Sequence, residues 1–123
     1  MTIVLVCGGR NYADREHLFK TLDNLTAKLG FTQLIHGAAR GADTLAGEWA
    51  QSRGLPVKAY PADWNKWSRS AGPRRNQQML EEGRPDFVVA FPGGRGTAHM
   101  TSISLEAGVH TIFVTESDSS ISG

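Results

Sequence analysis

The sequence has little of three features that mark common protein classes: cysteine, net charge and long apolar runs. Cys7 is the only cysteine in 123 residues, so no internal disulfide can form and no cysteine cluster indicates zinc. The formal net charge is +1, which excludes a global basic field of the kind that dominates non-specific nucleic-acid binding. No window approaches the roughly 20 apolar residues of a membrane span. We therefore expect a cytoplasmic protein with no membrane partner.

Two common phosphate-binding motifs are also missing. The sequence contains no GxxxxGK[ST] segment, and GGRNYAD at 8–14 lacks the spacing of GxGxxG. Their absence disfavours ATP hydrolysis and a bound dinucleotide coenzyme, so we predict no cofactor. The histidines at 99 and 110 are isolated in the sequence, and we predict no metal site.

Apolar runs rich in β-branched residues alternate with amphipathic segments along the chain. Leucines at spacings of 4, 3 and 4 predict a first helix that Asp14 caps and Gly30 ends. We predict strands at 3–7, 33–36, 56–60, 86–91 and 109–114, with further helices near 43–53, from Pro73 to 83, and from Thr97 to 107. This order predicts an α/β fold: a single Rossmann-like three-layer domain over 1–115, with a mostly parallel five-stranded sheet and helices on both faces. Residues 116–123 are predicted to be a flexible polar tail.

Arginine and glycine are concentrated after the predicted strands, at the sheet edge where such folds bind ligands. Of nine arginines, six follow strands one to four: Arg10, Arg40, Arg69, Arg74, Arg75 and Arg95. The planar guanidinium pairs with phosphate or carboxylate, and glycine lets backbone amides approach a ligand. This pattern predicts a phosphate-binding rim, although glycine and arginine also occur in ordinary surface turns.

Three motifs carry a family resemblance: HGAARGAD at 36–43, GPRRNQQM at 72–79 and PGGRGT at 92–97. With these, residues 3 to about 114 resemble the SLOG superfamily of Rossmann-like nucleotide-binding proteins, and look closest to its small YpsA-related members. The resemblance implies a nucleotide-binding domain. It leaves the activity open, because the superfamily includes Lonely Guy phosphoribohydrolases, DNA-processing proteins of the Smf/DprA type that bind single strands, and ligand-sensing domains.

The motif of the phosphoribohydrolases is incomplete in this sequence. Arg75 and the following Asn76 match the part of the motif that contains an arginine. Met100 stands at the position of the motif's glutamate. A thioether neither activates water nor stabilises an oxocarbenium-like centre. Whether the protein is an enzyme is therefore open, with Arg75 and Asp43 as candidate catalytic residues. With Thr97 as the expected N-cap, Met100 is interpreted as either a core residue or an apolar wall of the site.

The leading hypothesis is a sensor, carrier or sponge for a nucleotide or nucleotide-derived anion. Its phosphate is expected on the backbone amides of PGGRGT, with help from Arg75 and Arg40. Asp43 either caps the second helix or binds a ribose hydroxyl, and Trp64 either stacks on a base or anchors its loop. The predicted ligand-binding residues are Gly8, Gly9, Arg10, Gly37, Arg40, Gly41, Asp43, Trp64, Arg75, Asn76, Pro92, Gly93, Gly94, Arg95, Gly96 and Thr97.

Two other functions remain open from the sequence. The first is hydrolysis of an N-glycosidic or phosphoribosyl bond by another carboxylate, with Asp43 as the first candidate. The second is single-stranded nucleic-acid binding with stacking on Trp64 and Trp67, which the near-neutral charge disfavours. The resemblance and the loop that carries these tryptophans also predict a homo-oligomer. Cys7 and Trp49 are interpreted as core residues, and His36 as a structural residue or a phosphate donor.

Overall fold

The structure is a computed structural model that describes residues 1–116. The predicted tail therefore lies, apart from Glu116, outside the described residues. The elements are β1 (Ile3–Cys7), α1 (Arg15–Leu29), β2 (Gln33–His36), α2 (Ala42–Ser52), β3 (Val57–Ala59), α3 (Trp64–Trp67), a 3₁₀ turn (Ser68–Ser70), α4 (Ala71–Gly83), β4 (Phe87–Ala90), α5 (Arg95–Glu106) and β5 (His110–Phe113).

The strands form one sheet in the order β3-β2-β1-β4-β5. Every neighbouring pair is parallel; Val4 aligns with Leu34 on one side and with Phe87 on the other. The predicted Rossmann-like α/β fold is confirmed. Because the chain runs outward from β1 to β3 and then returns to β4, the strand order reverses between β1 and β4. A crevice opens at the carboxyl ends of these two strands.

Helix α1 forms as its sequence pattern predicts. Leu18 and Leu22 are four residues apart and both fully buried. The Asp14 carboxylate accepts a hydrogen bond from the His17 amide at 3.1 Å, and Gly30 ends the helix in the left-handed region at φ 71°. The first cap satisfies an amide that has no partner within the helix, and the second uses the residue that adopts the left-handed conformation at the lowest cost.

The core lies on both faces of the sheet. One cluster packs α1 and α2 against Val4, Val6 and Val89, while the other packs α4 and α5 against Leu5 and Val88. A strand buried on both faces has no polar side, which explains the continuous apolar run at 3–7. Trp49 is a core residue as predicted, and its indole N–H donates to Asp23 Oδ1 at 2.9 Å.

The start of α5 differs from the sequence-based prediction. The N-cap is Gly94, so Thr97 is the third helical residue rather than the cap. The prediction was wrong because Gly94 caps through its backbone and leaves no side-chain signal. Met100 consequently lies in the second turn, is 1% exposed and packs in the cluster with Leu5 and Val88. It is a core residue and not a wall of the site.

The segment between β3 and α4 is more regular than predicted. The predicted strand at 56–60 and helix from Pro73 leave residues 61–72 as a loop, yet α3 and the 3₁₀ turn occupy most of this segment and α4 begins at Ala71. Asp63 caps α3 by accepting from the Lys66 amide at 3.1 Å. Pro73 lies in the first turn of α4, where the missing amide hydrogen costs no helical bond. No helix within residues 1–116 has the length and apolar character to cross a membrane.

Candidate functional site

A cavity of about 580 Å³ occupies the crevice between β1 and β4. It is bounded by the loop after β1, the start of α2, α3 with the following 3₁₀ turn, α4 and the first turn of α5. Its lining comprises Cys7, Gly8, Gly9, Arg10, Ala39, Asp43, Trp64, Arg69, Gly72, Pro73, Arg75, Asn76, Met79, Gly94, Arg95, Gly96, Thr97 and His99. The residues that follow four separate strands thus meet at a single site.

The glycine loops after β1, β2 and β4 pack directly on one another. The Gly9 amide donates to the Pro92 carbonyl at 2.8 Å, and the Ala42 amide donates to the Gly9 carbonyl at 3.1 Å. A Cβ on Gly93 would overlap Thr97 Oγ1 and lie 2.7 Å from the Gly9 nitrogen. A Cβ on Gly41, whose φ is 76°, would overlap the Gly9 carbonyl. Close backbone packing therefore requires these glycines, and it sets the positions of the α2 and α5 N-termini.

The N-terminus of α5 presents free backbone donors to the cavity. The amides of Arg95, Gly96 and Thr97 precede the first intrahelical hydrogen bond, which the Ala98 amide donates to the Gly94 carbonyl at 3.0 Å. Among residues 1–116, no side chain or carbonyl accepts from these three amides. Since the helix dipole is positive at this end, the arrangement favours a bound anion.

Four arginines line the cavity: Arg10, Arg69, Arg75 and Arg95. Arg40 lies in a smaller adjoining cavity. Arg74 was predicted on the same rim, but its guanidinium stacks on Trp67 with Cζ 3.7 Å from the ring centroid, and it lines no described cavity. The prediction failed for Arg74 because adjacent residues on a helix point in different directions.

Hydrogen bonds within the chain fix Arg75 in place. Its Nη1 donates to the Gly37 carbonyl, and its Nε donates to Asn76 Oδ1 at 2.9 Å. Asn76 is buried; its amide nitrogen donates to the Gly96 carbonyl at 3.3 Å and lies 3.1 Å from His99 Nδ1. Asn76 thereby joins α4 to the first turns of α5 and orients Arg75. Partial burial lowers the pKa of Arg75, yet a guanidinium stays charged in proteins.

Asp43 is the carboxylate of the cavity, 6% exposed. Its Oδ2 accepts from the amides of Gly37 at 3.0 Å and Ala39 at 3.2 Å. It therefore binds the preceding loop instead of capping the α2 amides, which corrects the capping interpretation. Burial raises the pKa of Asp43 to about 6, against the opposing effects of the two amides and of Arg75.

Cys7 and His36 have structural surroundings. Burial, with a smaller contribution from Asp43, raises the pKa of the Cys7 thiol to about 12, so the thiol is protonated at neutral pH. His36 Nδ1 accepts from the Ala38 amide at 2.9 Å. Burial and the nearby Arg75 charge lower the pKa of His36, which favours the neutral ring that this hydrogen bond needs.

Trp64 forms an aromatic wall of the cavity. It is 47% exposed, and the Arg10 guanidinium lies 5.3 Å from its ring centroid. Trp67 is also exposed, but it contacts Arg74 and lies outside the described cavities. Of the two tryptophans in this segment, Trp64 is the one placed to stack on a ligand.

The structure brings most of the predicted ligand-binding residues together, but not all. Gly37 and Arg40 line the smaller adjoining cavity, Pro92 and Gly93 line a third cavity beside the loop after β1, and Gly41 lines none of them. The rest line the main cavity. Sequence reasoning missed Cys7 at the end of β1 and Ala39 in the loop after β2. It also missed Gly72, Pro73, Met79 and His99, whose contribution depends on how α4 packs against α5. Among residues 1–116, no group of three or more metal-ligating side chains is placed to hold a metal ion.

Comparisons with known proteins agree with this architecture. The family model described as "YspA, cpYpsA-related SLOG family" matches residues 2–67. The chain is similar to the Gene 61 protein of Mycobacterium phage D29, with 36% identity over 120 residues that cover 91% of this chain and 95% of the relative.

Two solved structures share the fold. DNA processing protein A (DprA) from Streptococcus pneumoniae superposes with a TM-score of 0.76 at 17% identity, over 98% of this chain and 52% of that chain. MurG from Acinetobacter baumannii superposes with a TM-score of 0.59 at 10% identity, over 94% of this chain and 35% of that one. The chain thus spans about half of DprA and about a third of MurG, and at these identities the likeness concerns the fold alone.

Proposed function

This chain belongs to the YspA, cpYpsA-related SLOG family, and on that premise we propose that it binds a nucleotide or a nucleotide-derived phosphorylated ligand between β1 and β4. The protein would act as a sensor, carrier or sponge for that ligand. Family membership supports the fold, and the lining of the cavity supports the class of ligand.

One observation carries the proposal: the open N-terminus of α5 faces a cavity that several arginines line. The amides of Arg95, Gly96 and Thr97 have no partner among the described residues, and Arg75 is held beside them through Asn76. Backbone donors at a helix start, combined with fixed guanidinium groups, form a preorganised site for phosphate. We place the phosphate there.

The opposite side of the cavity suits a nucleoside. Trp64 offers an exposed aromatic face on which a base can stack, and the Gly8–Gly9 backbone allows close approach. Asp43 is the residue that can accept from a ribose hydroxyl, because both hydrogen bonds it accepts from described residues use Oδ2. The cavity volume of about 580 Å³ is within the range of small-molecule sites.

Equilibrium dialysis against a mixed panel of mononucleotides, cyclic nucleotides and ADP-ribose derivatives tests the proposal. Both chambers are then analysed by chromatography. We expect one intact species to be retained, and Arg75→Ala to weaken its binding at least about tenfold, because a charged hydrogen-bond donor is lost. Arg15→Ala is the matched control, since Arg15 pairs with Glu48 on the surface away from the cavity.

Two results would contradict a nucleotide site here. The first is retention of no species, and the second is equal affinity in Arg75→Ala and the parent protein. Preferential binding of a single-stranded oligonucleotide, with affinity that falls steeply as salt rises, would favour the nucleic-acid alternative instead.

The position and ionisation of Asp43 support hydrolysis as a second candidate function. A buried carboxyl whose pKa is raised to about 6 lines the same cavity, and a carboxyl group of this kind can act as general acid or base near neutral pH. This proposal predicts a free-base peak in the dialysis experiment that Asp43→Asn abolishes. Intact ligand in both chambers after long incubation would exclude hydrolysis of the panel and leave binding unaffected.

We also propose self-association along β5. β5 is an edge strand without lysine or proline, and its Phe113 is 61% exposed. The other edge strand, β3, carries Lys58 and follows Pro56, two features that discourage edge pairing. Sedimentation velocity tests the proposal: Phe113→Lys should reduce the sedimentation coefficient, whereas an unchanged value would exclude this edge.

A further inference from the structure

A second cavity of about 320 Å³ adjoins the main one. The two share part of their lining, namely Arg10, Ala39, Trp64 and Arg75. The smaller cavity is completed by the loop after β2 and by Pro61 and Ala62 from the segment before α3. A single ligand that passes between Arg10 and Arg75 can therefore reach both cavities.

The charged residues that line the smaller cavity are all positive. Arg10, Arg40 and Arg75 contribute three guanidinium groups, and no aspartate or glutamate lines this cavity. Arg40 is exposed and forms no hydrogen bond or ion pair with another residue in the 1–116 segment. Guanidinium groups that share one concavity with no carboxylate in its lining favour anionic or oxygen-rich groups.

The loop that shapes this cavity is held in a costly conformation. Ala38 has φ 58°, in the left-handed region that disfavours a Cβ. Its amide donates to His36 Nδ1 at 2.9 Å. The neighbouring Gly37 is bound on both sides, with its amide on Asp43 and its carbonyl on Arg75. A strained loop that several contacts maintain is characteristic of a functional concavity.

We propose that the smaller cavity takes a second polar unit joined through the phosphates of the nucleotide, so that the ligand is a nucleoside diphosphate extended by a sugar or a second nucleoside. This inference rests on the proposed function and deepens it. One phosphate would lie on the amides at the start of α5, and the second would lie at the junction between Arg10 and Arg75. The extension would then contact Arg40 and the Ala38–Ala39 backbone. A nucleoside monophosphate would leave the smaller cavity unfilled.

The test compares three probes of each base: the monophosphate, the diphosphate and the diphosphate sugar, for example AMP, ADP and ADP-ribose. Isothermal titration calorimetry measures each affinity. We expect the diphosphate sugar of the preferred base to bind at least about tenfold tighter than the diphosphate, because the extension adds contacts to the smaller cavity. The diphosphate separates the effect of the sugar from that of the second phosphate.

Two arginine variants test which cavity produces the preference for the diphosphate sugar. Arg40→Ala should reduce the preference for the diphosphate sugar over the diphosphate from about tenfold to about twofold, and a thermal melt verifies that the variant is folded. Arg69 lines only the larger cavity, so Arg69→Ala should weaken all three probes and keep the preference.

The outcomes separate the two proposals. Equal affinity for the diphosphate and the diphosphate sugar of every base, or a full preference in Arg40→Ala, would overturn the second cavity as a subsite while the nucleotide site stands. Failure of all probes to bind would overturn both proposals.

Discussion

Helices α2 and α5 begin in the same way, but their N-termini differ in hydrogen-bond partners and in charge. Each follows a buried parallel strand and a glycine loop, and each has a glycine N-cap without a side-chain cap. In α2 the first amide, that of Ala42, donates to the Gly9 carbonyl, and the first turn contains the chain's own carboxylate, Asp43. The first turn of α5 contains Arg95 and no acidic residue.

A glycine loop followed by a helix is therefore not by itself a ligand site. At α2 the positive helix end is offset by Asp43, which also holds the preceding loop. At α5 neither a carboxylate nor a carbonyl from the described residues occupies the corresponding position. Among the described residues, the N-terminus of α2 has a carbonyl for its first amide and a carboxylate in its first turn, whereas the N-terminus of α5 has neither.

Both helices pack closely on the loop after β1, and a substitution that disturbs this packing should cause a large loss of stability. Gly93→Ala should lower the free energy of unfolding by about 3 kcal/mol, because the new Cβ would meet the Gly9 backbone. Urea denaturation measures this loss. Gly96→Ala is the matched control: nothing lies within 4 Å of its Cβ position, so the helical alanine should stabilise the protein by about 0.5–1 kcal/mol. Equal stability of the two variants would refute the packing argument.

A second prediction concerns the ionisation of Asp43 in the α2 turn. Its pKa is about 6 in the folded protein, against 3.8 for an unperturbed aspartate. Between these values the folded state binds more protons than the unfolded state, so this group's contribution to stability falls as pH rises from about 4 to 6 and is constant above. Asp43→Asn removes this dependence, and its stability relative to the parent should rise by about 3 kcal/mol across that range.

Urea denaturation at half-unit steps from pH 4 to pH 7.5 tests this sign. The comparison with Asp43→Asn at each pH cancels the other carboxylates, including Asp23, whose pKa the Arg53 hydrogen bond and the Trp49 indole lower to about 2. A stability difference that stays flat with pH would show that Asp43 is not desolvated in the folded protein.

A third prediction concerns a carboxylate introduced into the first turn of α5. Asp43 is the second residue of α2, and Gly96 is the second residue of α5. Gly96→Asp therefore gives α5 the carboxylate that α2 already has. Replacement of glycine within the helix and interaction with the helix dipole should stabilise the fold by about 1 kcal/mol. Nucleotide affinity should fall at least about tenfold, because the new charge repels phosphate.

Gly96→Asn is the isosteric control for this variant, since it adds the same bulk without the charge. Affinity is measured by calorimetry with the ligand that dialysis identifies. If Gly96→Asp and Gly96→Asn bind that ligand equally well, the phosphate does not lie at the start of α5.

The sequence predicts the fold well because its signals are local. Spaced leucines, an Asp14 cap, a terminal Gly30 and continuous apolar strands each act within a few residues. The order of motifs also predicts which loops meet, since parallel strands all end at the same edge. The start of α5 was misplaced because Gly94 offers no side-chain signal for a cap.

Side-chain direction and contacts between helices were not predictable from the sequence. Arg74 and Arg75 are adjacent in sequence, yet one stacks on Trp67 and the other binds the Gly37 carbonyl. His99 is isolated in the sequence because its contact, Asn76, lies 23 residues earlier on another helix. For the Asp43 carboxylate the sequence left helix capping and ribose binding as alternatives, and its two loop amides become visible only in three dimensions.

The burial of Cys7 makes the protein a convenient platform for site-specific labelling. Cys7 is the only cysteine of the chain, and its thiol is buried and protonated at neutral pH, so maleimide reagents should leave the parent protein unmodified. A cysteine introduced at the exposed Thr115 would then be the single reactive position. The neighbouring Glu116 lines a cavity together with Gly9 and Gly94, so a fluorophore at 115 would report when these loops receive a ligand.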